Sequence, residues 1–265
     1  MNKSLSEVDL FEFLEAKHLQ YNQTSFIESD PISIPHGYNK KEDIEIAAFL
    51  TATIAWGQRV SIIKSATKLM ALMDNSPHDF ILNHSKKEMK PFEKFVYRTF
   101  NGKDCICFIN SLQNIYQNHG GIHPLFSSSI TKKDANMMNG IAAFRTIFFE
   151  GNKSYRTEKH FSDPTNNSAS KRINMFLRWM IRSDKNGVDF GLWKDLNPSQ
   201  LVCPLDIHSG RVARTLGLLN RKQDDWKAVV ELTDMLKKFD PNDPVKYDFA
   251  LFGLGVFEKW GDIGY

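Results

Sequence analysis

The run Cys203-Pro204-Leu205-Asp206-Ile207-His208-Ser209-Gly210-Arg211-Val212-Ala213-Arg214 sets one carboxylate between a stiffened approach and the first turn of a basic helix. Proline locks φ and has no N–H, so Pro204 fixes the path of the chain before Asp206. Asp206 or Ser209 then caps the amides that open a helix expected to run on through Leu219. A carboxylate held there has two uses. It accepts from orphan backbone donors, a common arrangement worth about 1 kcal/mol, or it holds negative charge where a reaction needs it. An amine stands upstream: Lys171 lies 35 positions before Asp206, in the segment Asn167-Ser168-Ala169-Ser170-Lys171-Arg172-Ile173-Asn174-Met175-Phe176-Leu177-Arg178-Trp179. By itself it reads as a surface lysine in the first turn of a helix.

Taken together, the two segments resemble the helix-hairpin-helix DNA glycosylases. In that superfamily a Pro-hydrophobic-Asp-x-His run opens a helix with Arg-Val near its start, and a nucleophilic lysine begins an earlier helix. Pro204, Asp206, His208, Arg211 and Val212 fit the first pattern and Lys171 fits the second. Glu45-Ile46-Ala47-Ala48-Phe49-Leu50-Thr51-Ala52-Thr53, followed by Val60 and Lys64, resembles the early apolar helix of the family, so the likeness covers roughly residues 40 to 260. Most members carry a Leu-Pro-Gly-hydrophobic-Gly hairpin before the lysine, whose amides clamp a DNA phosphate; Asn166-Asn167-Ser168-Ala169-Ser170 has no glycine. The interval between Lys171 and Asp206 is also wide, and Gly187-Val188-Asp189-Phe190-Gly191-Leu192-Trp193 within it resembles an insertion. The resemblance is nearest to the archaeal 8-oxoguanine glycosylase-like branch, of which a widened interval is expected. The wording of its C-terminal half is also similar to an uncharacterised bacterial family, DUF2400-like, placed near that branch.

The resemblance implies an all-α fold of two helical subdomains flanking a cleft, one over approximately 40–160 and the other over 1–39 and 161–265, carrying the hairpin and Asp206. It implies a base-excision repair glycosylase with abasic-site lyase activity, acting on an oxidised purine such as 8-oxoguanine in double-stranded DNA. Lys171 would attack the anomeric carbon and form a Schiff base that goes on to β-elimination. Asp206 would stabilise positive charge on the deoxyribose and help accept the amine's proton. Because free lysine titrates at about pH 10.4, this chemistry asks for desolvation or cationic neighbours, of which Arg172 is one. A target base must also leave the stack, at a cost of a few kcal/mol. Trp56 and Gln58, at the turn after the early helix, would receive it or fill its gap, while Phe252 would stack on it and Asp248, four residues earlier on the same helical face, would accept from its ring nitrogens. Arg59, Ser168, Ser170, Arg172, His208 and Arg211 would face the DNA backbone. Other readings stay open: Phe252 as plain core, Asp248 as a cap or a partner of Lys246, and the whole chain as a DNA-binding protein that keeps the scaffold without cutting.

Composition is compatible with these readings. The 265 residues, 42% of them hydrophobic, suffice for one large domain or two packed subdomains. A net charge of +3 does not announce a nucleic-acid binder, but its distribution is uneven. Residues 1–50 hold four Lys/Arg against nine Asp/Glu, whereas residues 171–227 hold eleven against six. Three cysteines, Cys105, Cys107 and Cys203, make neither a disulfide framework nor a four-thiolate cluster, and the eight histidines form no His-x-x-x-His pair. We therefore expect no metal and no cofactor, a monomer, no membrane partner, and a cytoplasmic location, since the start of the chain lacks an apolar leader and no stretch nears the roughly 20 apolar residues that span a bilayer.

The elements that would position these residues show helical periodicity almost throughout. Ile44, Ala47, Ala48 and Ala55 mark one helix; Ile62, Ile63, Ala66, Leu69, Met70 and Met73 a second; Phe92, Phe95, Val96 and Phe100 a third. Phe108, Leu112, Ile115 and Tyr116 follow, then Met137, Ile141, Phe144 and Phe148. Further helices are expected to begin near Ala169, Ser209, Trp226 and Pro244, with mobile or DNA-contacting loops before Lys171 and over 183–204. No segment alternates as a multistranded sheet would.

Overall fold

A computed structural model describes residues 6–151 and 155–260. In chain order its helices are α1 (Glu7–Tyr21), α2 (Ser25–Glu28), α3 (Lys41–Thr53), α4 (Arg59–Ala71), α5 (Pro77–Asn83), α6 (Gly102–Asn118), α7 (Ile122–Ser129), α8 (Met138–Phe148), α9 (Tyr155–Glu158), α10 (Lys171–Ile181), α11 (Ile207–Thr215), α12 (Trp226–Phe239) and α13 (Asp248–Val256). The strands, β1 (Val96–Tyr97) and β2 (Phe100–Asn101), pair antiparallel with Val96 opposite Asn101 and Tyr97 opposite Phe100. Among the described residues the fold is thus helical apart from one small hairpin and an isolated bridge between Ser168 and Asp225. Among the described residues no helix is long and apolar enough to cross a membrane.

The chain divides into two compact units. One takes in Met1–Phe26, Ala135–Met137 and Pro164–Tyr265; the other takes in Ile27–Asp134 and Met138–Asp163.

The second unit is built around α3, which is buried on every side from Ile44 to Thr53. A helix buried all round, here with only Glu45, Thr51 and Thr53 polar over that stretch, belongs at the centre of a bundle rather than on its surface. Phe49, in its middle, meets the rings of Phe108, Phe144, Phe148 and Phe161 at 5.4–6.0 Å between centroids, several of them edge to face as aromatic quadrupoles prefer. The third helix read from Phe92, Phe95, Val96 and Phe100 is a correction. Lys90–Lys94 is a short 3-10 turn with Pro91 in its first turn, and β1 and β2 follow, joined by Arg98 at φ +52°. The helical spacing was accidental: Val96 is exposed while Tyr97 and Phe100 are buried, the alternation of a hairpin.

In the first unit α13 is the central element, packed against α1 and against α11. Phe249, Leu251 and Leu254 are fully buried there. α11 stops at Thr215 rather than running through Leu219, because Gly217 turns left-handed at φ +73° and the Leu218 amide folds back onto the Ala213 carbonyl at 2.8 Å. The loop over 183–204, expected to be mobile or DNA-contacting, is tied to α10. The Phe190 and Trp193 amides donate to the Trp179 and Met180 carbonyls at 2.8 and 3.0 Å, and Val188 and Trp193 are fully buried.

Candidate functional site around Lys171 and Asp206

α10 is strongly amphipathic: Ile173, Phe176, Leu177, Trp179, Met180 and Ile181 are buried, and Lys171 begins the helix half-exposed. The turn before it is tight although it lacks glycine. Asn167 and Ser170 both adopt left-handed φ, +62° and +49°. Asparagine tolerates that region better than other non-glycine residues, and the turn is anchored to the head of α12. The Asn167 side chain donates to Asp225 Oδ2 at 3.0 Å, the Trp226 amide donates to the Asn167 carbonyl at 3.1 Å, and Ser168 bridges Asp225. Ser170 is buried, its amide donating to Ser168 Oγ at 3.2 Å. This geometry leaves the α10 amides to follow on from a sharply bent, fixed turn, with Lys171 as the first helical residue.

Asp206 divides its two oxygens between the two uses foreseen for it. Oδ1 accepts from the His208 and Ser209 amides, both at 2.9 Å, while Ser209 Oγ accepts from the Asp206 amide at 2.9 Å, completing a reciprocal capping box. Oδ2 accepts from Lys171 Nζ at 2.5 Å, and the side chains remain 22% and 31% exposed respectively. Burial would raise the Asp206 carboxyl, but the Lys171 ammonium, its hydrogen bond and the Ser209 amide outweigh it and hold the group below the usual aspartate value. The cap fixes the rotamer of the carboxylate that meets the amine, so backbone geometry aims the charge.

Asp248 is not open to solvent. It is buried, accepts from Arg178 Nη1, and lies with Oδ1 3.9 Å from the buried Cys203 Sγ. Burial pushes its carboxyl up to about 6, with Arg178 and Lys171 opposing. Arg178 Nε also donates to Asp189 at 3.2 Å, and Arg182, 1% exposed, donates to Asp189 at 3.0 Å, to Asp184 at 2.6 Å and to Asp243 at 2.9 Å. Buried cations almost always have such partners, since an unpaired one costs several kcal/mol.

The remaining residues singled out in the sequence fall as follows. Phe252 is half-buried with its ring edge-on to Phe26 at 5.8 Å and to Phe257 at 6.1 Å. Arg172 is half-buried next to Lys171, and burial lowers its guanidinium to about 10, still charged at neutral pH. His208 is exposed and Arg211 half-buried on the first turns of α11, beside Ile207, which is 69% exposed. Lys171, Asp206, Ser168, Ser170, Arg172, His208, Arg211, Asp248 and Phe252 thus share the first unit, and Lys171 and Asp206 touch. Trp56, Gln58 and Arg59 belong to the second. There Trp56 is half-buried between Tyr97 at 5.3 Å and His160, stacked at 5.9 Å, its carbonyl accepting from Tyr97 Oη at 2.5 Å. Gly57 turns left-handed at φ +99°, and Gln58 stands exposed at the head of α4.

Sequence reasoning offered Ser209 as an alternative to Asp206 where the structure uses both in one capping box, and it missed Arg178 as the partner of Asp248. A signal existed for Arg178: it interrupts the apolar face of α10 among Phe176, Leu177 and Trp179, where a charge implies a buried counter-charge. Among the described residues no three His, Cys, Asp or Glu side chains gather as metal ligands would.

No curated protein and no solved structure matches the chain. A family model described as "Protein of unknown function (DUF2400)" matches residues 30–257, a span that takes in the capped carboxylate, the lysine, the buried arginines and the second unit's aromatic core. The chain belongs to the DUF2400 family.

Proposed function

We propose that this protein is a DNA glycosylase of the helix-hairpin-helix kind with abasic-site lyase activity, acting on an oxidised purine such as 8-oxoguanine. The observation that carries the reading is the contact between Lys171 Nζ and an Asp206 carboxylate already locked by its own helix. The left-handed turn at Asn167 and Ser170 supports it, since it gives a glycine-free segment the sharp bend that the family's hairpin needs. In this reading the lysine amine, once neutral, attacks C1′ as the N-glycosidic bond breaks and the base departs with the bonding pair. Asp206 stabilises positive charge on the sugar and takes up the proton that the amine sheds. The aminal so formed breaks its C1′–O4′ bond, O4′ taking the proton shed by the amine, to give a ring-opened Schiff base; loss of the C2′ proton and β-elimination then expel the 3′-phosphate.

The test is borohydride trapping on a duplex containing 8-oxoguanine, beside an abasic-site duplex and a Lys171→Gln control. The expected result is a covalent adduct that disappears in the variant. Trapping on the abasic duplex alone would keep the chemistry and reject the lesion. Binding without an adduct on either duplex would leave a non-cutting DNA-binding protein on the same scaffold.

A further inference from the structure

Glycine is second only to proline as a poor helix former, yet α13 carries Gly253 and Gly255 near its end. Neither adopts a left-handed φ, so conformation does not ask for glycine at either position. Space does, on two different faces. A Cβ on Gly253 would stand 2.1 Å from the Tyr21 ring of α1. One on Gly255 would stand 3.1 Å from His208 Cβ and 3.2 and 3.3 Å from that residue's carbonyl oxygen and carbon. The His208 amide in turn donates to Asp206 Oδ1 at 2.9 Å, so the stretch of backbone that α13 approaches is the stretch that aims the carboxylate. At its other end, α13 opens with Asp248, the acceptor of Arg178 on α10. Arg178 follows Lys171 by seven residues and lies two turns along the same face. α13 therefore holds both members of the pair, α10 through an ion pair and α11 through close backbone approach.

We propose that Gly255 is a positioning residue, whose missing side chain lets α13 close onto His208 and so sets Asp206 against Lys171. This rests on the reading of Lys171 and Asp206 as the reacting pair. Close alignment of reacting groups matters steeply: a misplacement of about 1 Å can cost on the order of a hundredfold. Gly255→Ala asks His208 to give by a few tenths of an ångström, so the covalent step on a saturating duplex slows about three- to tenfold. Gly255→Val slows it further.

The experiment compares single-turnover adduct formation on a saturating abasic duplex for the wild type, Gly255→Ala, Gly255→Val and Gly253→Ala, with duplex affinity and Tm measured for each. Gly253→Ala is the control for stability, because its methyl meets α1 rather than the turn that holds Asp206. The expected pattern is a lowered Tm with a wild-type rate for Gly253→Ala, and a slowed rate at saturating duplex for Gly255→Ala. The proposal is overturned if Gly255→Ala reacts as fast as the wild type, or if both alanine variants slow alike. An active wild type with an unaffected Gly255→Ala removes this inference alone, whereas a wild type that forms no adduct removes the reading beneath it as well.

Discussion

At the scale of single residues, the two readings of Asp206 turn out to be one arrangement, since one oxygen caps α11 and the other takes the lysine. Two substitutions separate them. Asparagine caps about as well as aspartate, so Asp206→Asn should keep the cap and lose only what the Lys171 contact contributes, while removing the charge. Asp206→Ala removes both, and should cost about 1 kcal/mol in urea unfolding as well. In trapping assays both should fail, and an Asp206→Asn variant that reacts normally would refute the electrostatic role. What was legible here was the cap, because Pro204, Asp206 and Ser209 sit at fixed offsets along one strand of sequence. The pairing with Lys171 came from resemblance, since no local rule relates residues 35 positions apart. Asp248, expected to face a base, has Arg178, one helix away, as the donor to its carboxylate.

At the scale of elements, the loop over 183–204 is held by partners far from it in sequence. Loops are where movement and contacts with DNA are expected, and in this one Asp189 receives two buried arginines and Trp193 packs against Phe176 at 5.5 Å. The same cluster gives an unusual pH dependence. Burial pushes Asp243 up to about 6, with Arg182 partly opposing, whereas an unfolded aspartate titrates at about 3.9. Between those values the folded chain holds a proton that the unfolded chain lacks, so this group adds stability as pH falls from about 6 to about 4. Asp243→Asn deletes that contribution. Its stability should decline more steeply than the wild type's over that window in urea titrations at several pH values, and parallel curves would contradict the burial account. The phenylalanine-rich segment over 92–100 misled, its helical spacing arising from a 3-10 turn followed by a hairpin. α1 and α5 passed unread because each shows the core only a narrow stripe: Leu14 and His18 on the one, Pro77, Phe80 and Ile81 on the other.

At the scale of the whole molecule, the helical class was legible because the 3.6-residue period recurs in nearly every apolar segment. The division into two units was harder to place, because the chain passes between them several times and residues 135–137 return to the first unit from within the second. A boundary of that kind leaves no linker composition to read. Each unit nevertheless has its own core, and that of the second is unusually aromatic. Phe108 is fully buried against Phe148 at 4.7 Å, Phe100 at 5.4 Å and Phe49 at 6.0 Å. Phe108→Ala should therefore cost about 3–5 kcal/mol in denaturant unfolding; a loss below about 1 kcal/mol would mean the ring cluster is looser than its geometry.

The thiols provide a way to watch those cores. Cys203 in the first unit and Cys105 in the second are buried, and burial pushes both up, away from the reactive thiolate, while Cys107 is only half-buried. An alkylating reagent should mark Cys107 first and reach the other two only when their surroundings open. Mass spectrometry of one labelled sample then yields two opening rates. Equal rates for Cys105 and Cys203 would mean that the units breathe as one, and unequal rates that each keeps its own time.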